Sequence, residues 1–232
     1  MKSIKFTTIL MVFIGIGLSV LIQSCTATQP VTDSAKDKVA EQADLDFLYK
    51  GLKSGENLKL KKLIYYLDRP LVISGASNFT LDGSGSTFIM KNKSEDVVVV
   101  EFSENVVLKN FKATHIEPEG PIGCTGSVIQ VRESSEISIE KCELNGSGII
   151  GVVAYNTKSL SVIDNYIYNN SSYGVLYDTE CSIEIKGNKF EDNGDSGNNH
   201  VAKALNGSLS KVEKIQKDTN KEGLKMSNNI YK

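Results

Sequence analysis

Three stretches carry the decisive pattern: Glu136-Ile-Ser-Ile-Glu-Lys-Cys-Glu-Leu144, Ser159-Leu-Ser-Val-Ile-Asp-Asn-Tyr-Ile167 and Ser182-Ile-Glu-Ile-Lys-Gly-Asn-Lys-Phe190. Each opens with two apolar residues spaced by two, and that period means strand. A third apolar residue then aligns at Leu144, Ile167 and Phe190, preceded by an aligned Cys142, Asn165 and Asn188. Upstream, Asn78-Phe-Thr-Leu81 and Asn105-Val-Val-Leu108 open in the same way. The first apolar residues are Phe79, Val106, Ile137, Leu160 and Ile183, giving steps of 27, 31, 23 and 23. A recurring unit of that length means a stack of similar structural units.

Each copy is preceded by another strand, at 97–102, 128–131, 151–155 and 174–178. In register, Val98, Ile129, Val152 and Val175 point inward, as do Val100, Val131, Ala154 and Tyr177. One outward row is Val99, Gln130, Val153 and Leu176; the next is Glu101, Arg132, Tyr155 and Asp178. Asn165 and Asn188 in a common inward register pass amide hydrogen bonds from one layer to the next. The pattern predicts an all-β fold, a short right-handed single-stranded parallel β-helix of about five coils. A β-sandwich is the alternative with many short strands, but it gives no reason for two successive steps of 23.

These repeats, and the approach Leu45-Asp-Phe-Leu-Tyr-Lys-Gly-Leu-Lys-Ser-Gly-Glu56 followed by Leu67-Asp-Arg-Pro-Leu-Val-Ile-Ser-Gly75, resemble the pectate-lyase-like superfamily over residues 44–194. The resemblance implies a fold rather than an activity, because this fold hosts lyases, hydrolases and adhesins. Open coil ends need caps. Ala40, Ala43, Phe47, Leu48 and Leu52 share a helical face and predict an N-terminal capping helix within 36–53. Asn198-Asn199-His200 breaks the repeat, so the coil is expected to stop near Asn193-Gly194. Val201, Leu205, Leu209, Val212 and Ile215 beyond it are compatible with a C-terminal helical cap and tail over 195–232.

The N-terminus reads as an address. Lys2 and Lys5 precede an uncharged run, Ile9 to Ile22, of 14 residues. That is short for a bilayer span of ~20 residues and suits a signal peptide. Its end, Leu21-Ile-Gln-Ser-Cys25, resembles the lipobox of bacterial lipoproteins, with Gln23 departing from the usual small or apolar residue. The resemblance implies a signal peptide over 1–24, lipid on Cys25, a tether over 25–43 and a place in the cell envelope, at the outer membrane or cell surface. The alternative is an ordinary secretory signal. Cys124, Cys142 and Cys181 remain, with no metal-ligand spacing. No metal or other cofactor is expected. A net charge of −2, from 26 basic and 28 acidic residues, argues against nucleic acid as a partner.

The candidate ligand residues are the outward row Glu101, Arg132, Tyr155 and Asp178, together with His115 in the 114–126 insertion. A planar guanidinium between a carboxylate and a phenol suits an acidic glycan. Arg132 would hold the sugar carboxylate, Tyr155 would stack on a ring, and Asp178 would accept hydroxyl hydrogen bonds. The competing reading is a plain Glu101–Arg132 ion pair beneath Tyr155. His115 and His200 are expected in loops, facing solvent. The acids in this row are too far apart for a paired hydrolytic mechanism, so catalytic residues stay unassigned. Tyr166, Tyr168 and Tyr173 offer further stacking surfaces in a chain that has no tryptophan. The leading expectation is a non-catalytic, lipid-anchored protein that binds a glycan or a surface protein. A polysaccharide lyase or hydrolase, and a purely structural envelope protein, are the alternatives.

Overall fold

The computed structural model describes residues 38–116, 125–145, 149–205 and 208–232. Their strands wind as a three-faced solenoid. Face A is built from Leu71–Ser74, Val98–Glu101, Ile129–Arg132, Ile150–Tyr155, Tyr173–Tyr177 and Val201–Leu205, all parallel neighbours. Faces B and C share a 13-stranded sheet, because the long strands Ser77–Met90 and Glu104–His115 run round the corner between them. Face B continues through Ser135–Glu140, Leu160–Ile163, Ile183–Lys186 and Leu224–Ser227; face C through Glu143–Asn145, Tyr166–Tyr168, Lys189–Glu191 and Ile230–Tyr231. Five coils lie between Ser77 and Leu205, with a leading turn before them and a part-turn after.

The register is the one that the repeats predict. Val98 pairs with Ile129, Ile129 with Val152 and Val152 with Val175; all four are fully buried. Leu81, Leu108, Ile139, Val162 and Ile185 stack on face B with no exposed surface. Each such side chain contributes ~1.5–3 kcal/mol of burial energy.

The corners repeat as faithfully as the strands. Between faces B and C, Asn110, Lys141, Asp164, Gly187 and Asn228 each take a left-handed conformation, with φ between 52° and 68°. A single such residue turns the chain sharply, and Asn, Asp and Gly tolerate it best. Directly after this corner, Asn165 Oδ1 accepts from the Cys142 amide at 2.9 Å, and Asn188 Oδ1 from the Asn165 amide at 2.9 Å. The ladder continues beyond the repeats: Asn188 Nδ2 reaches Asn229 Oδ1 at 3.1 Å. A second ladder of small polar groups, Ser103, Ser134, Thr157 and Cys181, lines the corner between faces A and B. Cys142 and Cys181 are therefore rungs rather than halves of a disulfide; both are free, buried thiols, pushed by burial up to about 12. Cys124 lies outside the described residues.

Both ends differ in detail from expectation. The capping helix α1 spans Gln42–Ser54 and buries Leu48 and Leu52, but Phe47 is exposed. Pairing begins ahead of the helix, where Val39 bridges Ile64 at the first edge of face C. At the other end the coil does not stop at Gly194, and among the described residues no helix follows. A three-residue insertion moves the expected partner of Val175 from 198 to Val201. The residues with apparent helical spacing instead form two antiparallel strands, Val201–Leu205 and Ser208–Ile215. After that excursion the chain rejoins faces B and C.

Candidate functional site

The predicted row on face A is present in register: Glu101 pairs with Arg132, and Arg132 with Tyr155. Its chemistry is largely closed upon itself. Arg132 Nε donates to Glu101 Oε2 at 2.8 Å, and Nη2 donates to the same oxygen. Hydrogen bonding from Arg132 outweighs partial burial and holds the Glu101 carboxyl below its ordinary value. Asp178 accepts from the Asn156 and Glu180 amides, both at 3.0 Å, so it closes a turn. Tyr155 is half-buried against Ile150, Val153, Leu176 and Ala202. Its phenol is raised by burial, then by the charges of Asp96 and Asp178.

Neither histidine faces solvent. His115 ends the strand Glu104–His115 in the inward row of Leu67 and Met90, and is 1% exposed. Its Nε2 lies 2.7 Å from the Glu95 carbonyl oxygen. His200 is 3% exposed and packs against Phe190 and Tyr231, with Nδ1 3.3 Å from Asn193 Nδ2. Burial lowers the imidazole pKa of both. The physical reason differs for the two: His115 is the inward last residue of its strand, whereas His200 directly precedes the strand Val201–Leu205 and its ring packs inward on Phe190 and Tyr231.

Face C gathers the groups that were not brought together from sequence. One outward row runs Thr87, Lys112, Glu143, Tyr166 and Lys189; beside it Tyr168 pairs with Glu191. Lys112 Nζ lies 2.7 Å from Glu143 Oε1, and Tyr168 Oη donates to that same oxygen at 2.5 Å. Burial opposes the Glu143 charge, but Lys112 and Tyr168 together outweigh it and hold the carboxyl below its ordinary value. Tyr166 Oη donates to Glu191 Oε2 at 2.8 Å, and Lys189 Nζ reaches the same carboxylate oxygen at 2.6 Å. The two tyrosine rings stack with centroids 4.1 Å apart, and Lys189 Nζ sits 3.9 Å over the Tyr166 ring. An open groove of about 600 Å³ runs alongside, lined by Asn110, Lys112, Glu143, Asp164 and Tyr166 among others.

The signal for this cluster was in the repeat. Leu144, Ile167 and Phe190 align as apolar residues and are fully buried, so 143, 166 and 189 on one side and 145, 168 and 191 on the other must face out. Among the described residues, no group of His, Cys, Asp and Glu is placed to hold a metal ion. The arrangement offers aromatic surface flanked by fixed donors and acceptors. That suits the recognition of a hydroxyl-rich ligand more than proton transfer, because each carboxylate is already bonded to a lysine and a phenol.

A family model described as a right handed beta helix region matches residues 71–229. That span takes in the strands beyond Gly194. No curated protein and no solved structure matches the chain.

Proposed function

The chain belongs to the right-handed β-helix family, and from that premise we propose a non-catalytic glycan-binding protein of the cell envelope, held to the membrane by lipid on Cys25. The observation that carries the reading is the stacked Tyr166–Tyr168 pair on the open outer side of face C, bracketed by Lys112–Glu143 and Lys189–Glu191. Aromatic rings with a polar tip supply apolar contact to sugar C–H groups together with hydrogen bonding to hydroxyls. Kinship with the pectate-lyase-like superfamily is part of the same proposal, supported by the inward asparagine ladder. Cys25 lies outside the described residues, so the anchor rests on the sequence of the leader.

A glycan array probed with the full chain tests binding, and an assay for new reducing ends and unsaturated uronates on the same glycans tests turnover. Retention of at least one glycan class without product supports the reading. Product formation would convert the protein into a lyase or hydrolase; failure to retain any glycan would remove the function altogether.

A further inference from the structure

Resting on that reading, we infer that face C takes a neutral oligosaccharide, laid along the solenoid axis over the row Tyr66, Ile89, Thr114, Asn145 and Tyr168. The register builds this row. Tyr66 pairs with Ile89, Ile89 with Thr114, and Asn145 with Tyr168. The pairing of Ala113 with Leu144 sets Thr114 beside Asn145. All five residues are uncharged. Tyr66 is 37% exposed and the other four are partly exposed. With ~4.8 Å between neighbouring coils, four steps separate the two tyrosines by roughly 19 Å. A short oligosaccharide spans that distance with an aromatic ring under each end.

The charges next to this row decide the ligand class. Lys112 is bonded to Glu143 and Lys189 to Glu191, so each cation is matched by an acid within the same cluster. A sugar carboxylate would have to displace a protein carboxylate already in contact, and would then lie beside it. The Glu101–Arg132 pair on face A is closed in the same way. A neutral sugar has no carboxylate to place beside those acids. Its hydroxyls can bond the Asn145 amide, which is both donor and acceptor and keeps further capacity beside its bond to the Tyr168 hydroxyl, while its C–H faces pack on Tyr66, Ile89 and Tyr168. Of the stacked pair, Tyr166 is engaged by both Tyr168 and Lys189, so Tyr168 is the ring assigned to the ligand.

The test measures affinity of the full chain for neutral hexasaccharides of glucose, mannose, galactose and N-acetylglucosamine, and for the acidic hexagalacturonate and hexamannuronate, at low and high salt. At least one neutral hexasaccharide should bind, with affinity nearly independent of salt, since no net charge is neutralised. Tyr66→Ala and Tyr168→Ala should each weaken binding about tenfold, as expected for loss of a major aromatic contact. Tyr168→Phe keeps the ring and should retain binding, and Arg132→Ala should leave it unchanged. If Tyr168→Ala fails to fold, Tyr66→Ala, at the far end of the row, decides. Salt-sensitive preference for the uronate hexamers would overturn the ligand class while leaving glycan binding standing. Neutral binding indifferent to both tyrosines would overturn the site. Absence of binding to every sugar of both classes would overturn this inference and the proposed function together.

Discussion

Asn188 shows how much a single inward polar residue does in a solenoid. Its Oδ1 accepts from the Asn165 backbone amide at 2.9 Å and its side-chain amide at 3.0 Å, while its Nδ2 donates to the Val162 carbonyl at 2.8 Å. Asn188→Leu keeps the volume and strands these groups in the core, so unfolding free energy should fall by ~1–3 kcal/mol; chemical denaturation measures it. The Arg132–Glu101 pair has less at stake, since an exposed ion pair is worth ~0.2–1 kcal/mol. His200 makes a pH-dependent contribution. Burial lowers its folded pKa, with Asp192 partly opposing, so the unfolded state binds a proton first. Stability is then full above the unfolded histidine value of ~6.5 and is lost as pH falls below it towards the lowered folded value. His115 acts in the same direction. Glu101 and Glu143, whose folded values are lowered, lose their contribution only below the ordinary Glu value of ~4.3. Denaturation midpoints should therefore decline between pH 7 and 5.5, and His200→Gln should flatten the decline. An unchanged slope in that variant would assign the titration to His115 alone.

At the scale of strands, the legible part was the part that repeats without insertion. Two steps of 23 with apolar residues spaced by two fixed the inward rows, the Asn165–Asn188 rung and the outward row from Arg132 to Asp178. The end of the coil was hidden by two insertions, three extra residues before Val201 and the excursion 208–221 before Leu224. Two strands read as one helix because 201, 205, 209, 212 and 215 imitate a helical period across a reversal. The repeat implies that Glu143 and Tyr168 face out, but not that Lys112, Glu143 and Tyr168 meet. Their contact joins strands one coil apart across the 31-residue step, and only side-chain direction brings Tyr168 diagonally onto Glu143. The excursion also explains how the coil ends. Ser208–Ile215 backs the last strand of face A in antiparallel sense and leaves its own outer edge free, with Lys211 and Lys214 exposed along it. Charged edges resist strand addition. Replacing both lysines by Ile should raise the oligomer fraction in light scattering with little change in melting temperature. A strictly monomeric variant would mean that the edge is protected by something other than charge.

Over the whole molecule, stability is a sum of neighbouring-coil interactions, with each coil contacting mainly the next. The solenoid's leading edge is closed by α1 and by the bridge between Val39 and Ile64. The leader carries two lysines, an uncharged 14-residue run and the Ser24-Cys25 junction. If its role is to place the domain rather than to fold it, location and folding separate cleanly in a single variant. Cys25→Ala removes the only thiol at that junction. Several acyl chains hold a protein durably, since each buried methylene contributes ~0.8 kcal/mol, so their loss should move the protein from the membrane fraction to the soluble fraction. The melting temperature and the sugar affinity of the purified variant should match those of the parent chain, because the row from Tyr66 to Tyr168 takes no residue from the leader. Fractionation with immunodetection reads the first expectation; calorimetry reads the other two. Retention of Cys25→Ala in the membrane to the parent's extent would sink the lipid anchor. Release accompanied by a lowered melting temperature would instead show that the leader contributes to the fold.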